Sequence, residues 1–105
     1  MTVISTVNKV DATFTKLNDA TDWISSYNAN PNNTLDMGVV LDGSWNGVIT
    51  LQKRQVINGV ATTEVPVAAI ASSCQRKVED DIASVEYRLK CTSFTAGTAY
   101  VELYK

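Results

Sequence analysis

The stretch Leu41–Gln55, LDGSWNGVITLQKRQ, decides the fold of this chain. Its Asp42-Gly43 pair is typical of a tight turn, because glycine adopts the positive φ that such turns need. After the turn, Trp45, Gly47, Ile49 and Leu51 share one side, and Asn46, Val48, Thr50 and Gln52 share the other. Alternation with a period of two predicts a β-strand with one buried face. Since every such strand has an apolar face to cover, we expect the other strands to pack around this central one.

Length and composition indicate one compact domain, because 105 residues suffice for a single core and leave no room for two. Hydrophobic residues make up 45% of the chain and charged residues 19%, with a formal net charge of −2. This acidic balance disfavours nucleic acids and anionic membranes as partners, since both are normally bound by basic surfaces. No apolar run is long enough for a transmembrane helix, and the N-terminus lacks a signal-peptide pattern. We therefore expect synthesis in a cytoplasm.

Period-two alternation recurs outside the central strand and predicts the other strands. They are expected at Thr2–Val10, Thr34–Leu41, Ala61–Val67, Ile82–Thr92 and Ala99–Lys105. The dipeptide Asn58-Gly59 between apolar neighbours predicts a tight hairpin after the central strand. The whole pattern predicts an all-β fold, an antiparallel β-sandwich of immunoglobulin-like or jelly-roll-like type with six to eight short strands. Residues 1–105 then form a single domain, in which Met1–Val10 is either a first strand or an extended arm.

The segments between these strands are predicted from their composition. Asn28–Asn33, with the sequence NANPNN, is typical of a loop. Asn18–Tyr27 suits either one helical turn or irregular, strand-like structure, and the β-rich surroundings favour the second. The charge cluster Arg76–Asp81 indicates a solvated connection between strands.

The last two predicted strands are expected to be joined as a hairpin by the turn at Ala96-Gly97. Their inward-facing residues are Val85, Tyr87, Leu89 and Cys91 on the first strand, and Ala99, Val101 and Leu103 on the second. On the outward face, we expect Glu86 or Arg88 to pair with Glu102 or its neighbours. Each such exposed pair contributes little to stability.

The residue types present do not suit catalysis or a metal site. The chain has no His to act as a general base near neutral pH, and no Gly-rich phosphate loop or G-x-S-x-G motif. Cys74 and Cys91 lack CxxC spacing, so we expect two free, buried thiols, with a disulfide as the second alternative. The run Glu79-Asp80-Asp81 is expected to be solvated rather than to bind a cation. We therefore predict a non-enzyme without catalytic, cofactor-binding or metal-binding residues.

Two stretches of the chain resemble small structural proteins of tailed bacteriophages. Gly43–Arg54 matches a G-x-W-x-G-x-(V/I)-x-L-Q-(R/K) strand, and Glu86–Lys105 matches a Y-R-(L/V)-x-C-T…G hairpin. The matching positions are Gly43, Trp45, Gly47, Ile49, Leu51, Gln52 and Lys53 in the first, and Tyr87, Arg88, Leu89, Cys91, Thr92, Gly97 and Val101 in the second. The chain departs from a true immunoglobulin domain, in which a Tyr lies two residues before the second Cys. An inter-sheet disulfide of that kind is therefore not expected.

The resemblance implies a β-sandwich used on virions as a decoration, head-fibre, collar or tail component. On that basis we expect a capsid decoration protein, located in the virion, that binds a viral capsid or tail protein and forms a homo-oligomer. The alternatives are a head–tail or tail component, or a carbohydrate-binding or receptor-binding β-sandwich module. In the leading interpretation, Met1–Val10 adds a strand to a neighbouring subunit.

Six residues outside the predicted core are candidates for an interface: Trp23, Tyr27, Tyr100, Tyr104, Arg76 and Lys77. The two tyrosines of the last strand share its outward face, and exposed aromatic residues are enriched at interfaces. Trp23 and Tyr27 lie next to the Asn-rich loop, where aromatic and amide side chains together suit a glycan. The basic pair Arg76-Lys77, followed closely by three acidic residues, suits reciprocal salt bridges between subunits.

Overall fold

The computed structural model describes residues 9–26, 34–79 and 84–105, and every regular element within these ranges is a β-strand. The strands are β1 (Lys9–Phe14), β2 (Ile24–Ser25), β3 (Thr34–Leu41), β4 (Asn46–Ile57), β5 (Val60–Ala61), β6 (Val65–Ile70), β7 (Cys74–Glu79), β8 (Val85–Ala96) and β9 (Ala99–Tyr104). They form two antiparallel sheets. Sheet A has the order β1-β9-β3-β7, and sheet B has the order β2-β8-β4, with β5 and β6 both paired to β4.

This architecture confirms the predicted all-β, antiparallel sandwich fold. The nine strands within the described ranges exceed the six to eight expected, because β2 and β5 are only two residues long and too short to show alternation. The predicted central strand is confirmed as β4, which pairs with β8 on one side and with β6 on the other. Its residues Ile49 and Leu51 are buried, whereas Trp45 is partly buried and packs against the core.

The turn after β4 also follows the sequence pattern. Asn58 and Gly59 have φ values of 51° and 78°, so both residues adopt the left-handed conformation of a type I′ turn. The turn pairs Ile57 directly with Val60, which confirms the predicted hairpin.

The core lies between the two sheets and is built from alternate residues of the long strands. The predicted inward-facing side chains of the last two strands are all buried: Val85, Tyr87, Leu89, Cys91, Ala99, Val101 and Leu103. Leu35, Met37 and Val39 on β3 are also buried and lie beside the β9 residues on the inner face of sheet A. Both cysteines are free thiols, as expected, and Cys91 is fully buried whereas Cys74 is partly buried. Burial is the main cause that raises the pKa of the Cys91 thiol.

The prediction that Arg76–Asp81 is a solvated connection was wrong for its described residues. Residues 76–79 belong to β7, which pairs along β3 from Thr34↔Glu79 to Val39↔Cys74. The charged side chains remain exposed because β7 is the edge strand of sheet A, while Val78 is buried against the core. Asp80 and Asp81 lie outside the described residues.

The predicted last hairpin was also wrong. β8 and β9 belong to different sheets, so the chain crosses from sheet B to sheet A at Gly97-Thr98. Glu86 and Arg88 therefore pair with β4 and not with Glu102: Arg54 donates to Glu86, and Arg88 donates to Gln52. A turn between two alternating strands looks the same in sequence whether the strands pair or cross between sheets, which explains the error.

The N-terminal half is only partly covered by the described residues. Of the proposed arm Met1–Val10, residues 1–8 lie outside them, and Lys9 and Val10 begin β1, which pairs with β9. Between residues 18 and 26 the chain is irregular apart from a bridge at Ala20 and the short strand β2, as the β-rich surroundings suggested. The predicted loop Asn28–Asn33 lies outside the described residues.

The β8–β9 crossing is joined to the β3–β4 loop by the carboxylate of Asp42. Its Oδ1 accepts hydrogen bonds from the Ser44 backbone N–H (3.0 Å) and hydroxyl (2.9 Å), and its Oδ2 accepts one from the Thr98 N–H at 3.0 Å. The Asp42 N–H in turn donates to the Thr98 carbonyl at 3.0 Å. Gly97, with φ of 99°, lies so close to this loop that a Cβ would be 2.4 Å from the Cα of Trp45.

We expect Gly97→Ala to lower the free energy of unfolding by about 3 kcal/mol, because the new methyl group meets backbone atoms and the residue must hold a positive φ. Gly43→Ala is the matched control. Contrary to the positive φ expected at the Asp42-Gly43 turn, Gly43 does not have one, and a Cβ there would meet no heavy atom within 4 Å outside its chain neighbours, so the expected change is below about 0.5 kcal/mol. Urea unfolding measures both variants. Equal stability of the two variants would contradict the close approach.

The hydrogen bonds to Asp42, above all the one from the Ser44 hydroxyl, hold the pKa of this carboxyl below its usual value. A folded-state pKa below the unfolded one means that ionised Asp42 stabilises the fold above pH ~4. This contribution is lost as the pH falls through the folded-state pKa. We expect Asp42→Asn to be less stable than the wild type at pH 7 and to lose less stability on acidification. Urea midpoints between pH 7 and pH 2.5 test this, and parallel curves for the two proteins would contradict it.

Candidate binding surfaces

The outward side chains of sheet A form three rows across its strands, set by the strand register. The rows are Lys9, Tyr104, Asp36 and Lys77; then Asp11, Glu102, Gly38 and Gln75; then Thr13, Tyr100 and Val40. We call these eleven residues the sheet A outer face. Because strand residues alternate between the two faces of a sheet, the core-facing residues of the same strands lie beneath them.

The middle row contains a hollow at Gly38, the one member of the sheet A outer face without a side chain. An open groove of about 780 Å³ lies here, with Tyr100, Val40 and Asp11 among its lining residues. A second depression of about 270 Å³ adjoins it toward Tyr104 and shares Gly38 and Gln75 with it. The two depressions adjoin at Gly38 and Gln75, and we call them together the groove.

Ion pairs hold the charged side chains of this face in place. Lys9 Nζ lies 3.3 Å from Glu102 Oε2 and 3.5 Å from Asp11 Oδ2, and Lys77 Nζ lies 3.2 Å from Asp36 Oδ1. Hydrogen bonding to Glu102 is the main cause that raises the pKa of Lys9. All these groups are solvent-exposed, so the pairs orient side chains more than they stabilise the fold.

The structure brings three of the six interface candidates onto the sheet A outer face: Tyr100, Tyr104 and Lys77. The tyrosines face outward as predicted, and Tyr100 is 54% exposed whereas Tyr104 is half-buried. Arg76 is on the core-facing side of β7, opposite to Lys77. It is nevertheless exposed, because β7 is the edge strand of sheet A.

Trp23 lies at the other sheet and is already engaged within the chain. The guanidinium carbons of Arg54 and Arg88 lie 4.2 Å and 4.6 Å from the centroid of its ring. Arg54 is held at 2.8 Å from Glu86, and Arg88 donates to Gln52 at 2.8 Å. Trp23 is therefore half-buried, with two cations over its ring, and it fastens the segment before β2 to sheet B. Tyr27 lies outside the described residues.

A second exposed surface, which the sequence did not predict, lies at the far end of β4. Ile57 and Val60 are 53% and 69% exposed, and Val65 and Val67 on β6 are about half-exposed. We call these four residues the apolar strip. The available signal was the Asn58-Gly59 turn, because a type I′ turn makes its flanking residues Ile57 and Val60 direct cross-strand partners at the end of β4.

Within residues 9–26, 34–79 and 84–105, no group of three or more His, Cys, Asp or Glu side chains is placed to hold a metal ion. The same ranges contain no helix long and apolar enough to cross a membrane. A scan against protein-family models found no matching model, and searches of curated proteins and of solved structures found no match. The fold therefore defines the class of this protein: an all-β chain of two packed antiparallel sheets.

We expect Trp23→Ala to lower the free energy of unfolding by about 2–3 kcal/mol, since it removes a half-buried ring and two cation–π contacts. Trp23→Phe should lose less than half of this, because an aromatic face remains. Tyr100→Ala, on the exposed side of sheet A, is the control and should change stability by less than ~1 kcal/mol. If Trp23→Ala proved no more harmful than Tyr100→Ala in urea unfolding, Trp23 would not be a fastening residue.

Proposed function

We propose that this chain is a non-catalytic structural protein of a tailed-phage particle, and specifically a capsid decoration protein that binds and stabilises the assembled head. The resemblance of Gly43–Arg54 and Glu86–Lys105 to phage structural proteins motivates the proposal. A head–tail or tail component would use the same type of contact and differs only in its position on the particle.

The residues that carry the resemblance mainly build the sandwich. Ile49, Leu51 and Leu89 are buried, and Gly47 lies so close to β8 that a Cβ would be 2.3 Å from the Ser93 carbonyl oxygen. These positions support a shared fold. An attachment function needs an exposed surface in addition.

The apolar strip is the observation that carries the proposal. On the core-facing side of β4, Leu51 is 3% exposed and Ile57 is 53% exposed, with the polar side chains of Lys53 and Gln55 between them, so Ile57 lies beyond the core. Ile57 and Val60 are direct cross-strand partners and point to the same side of the hairpin. Val65 on β6 pairs with Lys53 on β4. Lys53 and Ile57 are four residues apart on β4 and point to the same side of the sheet, so Val65 points to that side as well. Exposed aliphatic side chains on adjoining strands are typical of a contact with another protein.

Attachment through the apolar strip would stabilise a particle by mass action. A protein that binds only the assembled lattice shifts the equilibrium toward that lattice. Burial of the strip against a capsid subunit supplies the binding free energy, and no bond chemistry is needed. A decoration protein that spans adjacent capsid subunits is expected to be a closed homo-oligomer, a dimer or a trimer.

The test uses heads of the phage that encodes this chain, stripped of the chain itself. We expect the purified chain to co-sediment with these heads and to saturate them. The double variant Ile57→Thr/Val60→Thr should bind at least about tenfold more weakly, because two exposed apolar side chains become polar without a change in β-propensity. Val40→Thr, a substitution of equal character on sheet A, is the control and should bind like the wild type.

Two results would overturn the proposal. One is a wild-type chain that is a stable monomer by light scattering and ignores both heads and tails. The other is head binding that is equal for the wild type and the strip variant.

The second candidate function is a carbohydrate-binding module. Trp23 was predicted to contact the glycan together with Tyr27, but two guanidinium groups already lie over the Trp23 ring. The groove on the sheet A outer face favours this candidate instead, since it places Tyr100 beside carboxylate and amide side chains.

A further inference from the structure

We infer that the groove of the sheet A outer face is a binding site for a neutral oligosaccharide. The groove is on the opposite sheet from the apolar strip, so the inference goes beyond attachment to a particle and does not depend on it.

The floor of the groove is shaped by the absence of a side chain at Gly38. On either side, Glu102 and Gln75 occupy the cross-strand positions of the same row. A Cβ at Gly38 would lie 3.3 Å from both Cγ and Oε1 of Glu102, so the Glu102 side chain borders this hollow closely. A ligand in the hollow therefore meets backbone at the floor and a carboxylate at the wall.

The polar groups around the hollow are placed for hydrogen bonds to hydroxyl groups. Asp11 and Glu102 supply carboxylate acceptors, and the amide of Gln75 supplies both donors and an acceptor. The ion pairs of Lys9 hold both carboxylates in position before any ligand binds. Such convergent, oriented polar groups in an open groove are typical of small-molecule sites.

A tyrosine lines each depression of the groove, Tyr100 the larger one and Tyr104 the smaller one. Tyr100 and Tyr104 are four residues apart on one strand, which places their Cα atoms about 13 Å apart on the same face. Each combines an apolar ring with a polar hydroxyl, and such a side chain can contact the C–H face of a sugar and hydrogen-bond its hydroxyls. The spacing suits an extended ligand of several sugar units more than a single sugar.

The charge pattern selects among possible occupants. Within the three rows, the cations Lys9 and Lys77 are each paired with a carboxylate. Arg76 also lines the second depression, so three cations stand beside the three carboxylates of Asp11, Asp36 and Glu102, and the groove has no net positive charge for an anionic ligand or a nucleic acid. The only well-exposed large hydrophobic residues of this face are Val40 and Tyr100, which is little for the apolar centre of a protein interface. A neutral ligand with many hydroxyl groups fits both facts.

The test begins with a glycan array of neutral, N-acetylated, sialylated and sulfated oligosaccharides, probed with the wild-type chain. The strongest neutral oligosaccharide is then titrated calorimetrically into the wild type, Tyr100→Ala, Tyr104→Ala and Gly38→Ala. We expect each variant to bind at least about tenfold more weakly, through loss of a ring or partial filling of the hollow. Val60→Thr, on the apolar strip, is the control and should bind like the wild type.

Each contrary outcome overturns the inference. These outcomes are no binding to any glycan on the array, binding only to sialylated or sulfated glycans, and equal affinity of the wild type and both tyrosine variants. Urea unfolding of every variant separates lost binding from lost structure. Head co-sedimentation of Tyr100→Ala, which should match the wild type, separates failure of this site from failure of the attachment proposal.

Discussion

The close approach of Gly97 to the backbone of Trp45 is the contact on which the rest of the structure depends. It lets the chain leave β8 in sheet B and enter β9 in sheet A at the point where β4 begins. The carboxylate of Asp42 holds the same corner by hydrogen bonds to both connections. Because β9 then lies between β1 and β3, this crossing places one of the two inner strands of sheet A. The corner thereby joins the two sheets, whose apolar faces cover each other.

Local patterns predicted those parts of the fold that depend on neighbouring residues. Alternation along β4 and β8 identified their buried faces, and Asn58-Gly59 identified the hairpin, because both signals arise from the chain's own geometry. The assignment of β7 failed because its charges suggested a solvated loop, although an edge strand also leaves charged side chains in water. The crossing at Gly97 was missed because the choice of pairing partner is a tertiary property.

The candidate surfaces show the same limit. Sequence alone placed Tyr100 and Tyr104 on one outward face, since both lie on a strand with clear alternation. It could not show that Arg54 and Arg88, which lie on two different strands, both contact the ring of Trp23. Nor could it show that Gly38 lies beside Glu102, because strand register links residues that are far apart in sequence. The resulting exterior has an apolar strip at one end of sheet B and a polar, aromatic groove on sheet A.

The pairing of β1 with β9 has a consequence for the synthesis of the protein. Lys9 pairs with Tyr104, so the first and last described strands of the chain are neighbours in one sheet. β9 is also one of the two strands that pair with β3. A ribosome makes the chain from the N-terminus, and strands that pair over such long separations close slowly. Sheet A therefore lacks one of its two inner strands until β9 has been synthesised, and the earlier apolar strands must stay soluble in the meantime.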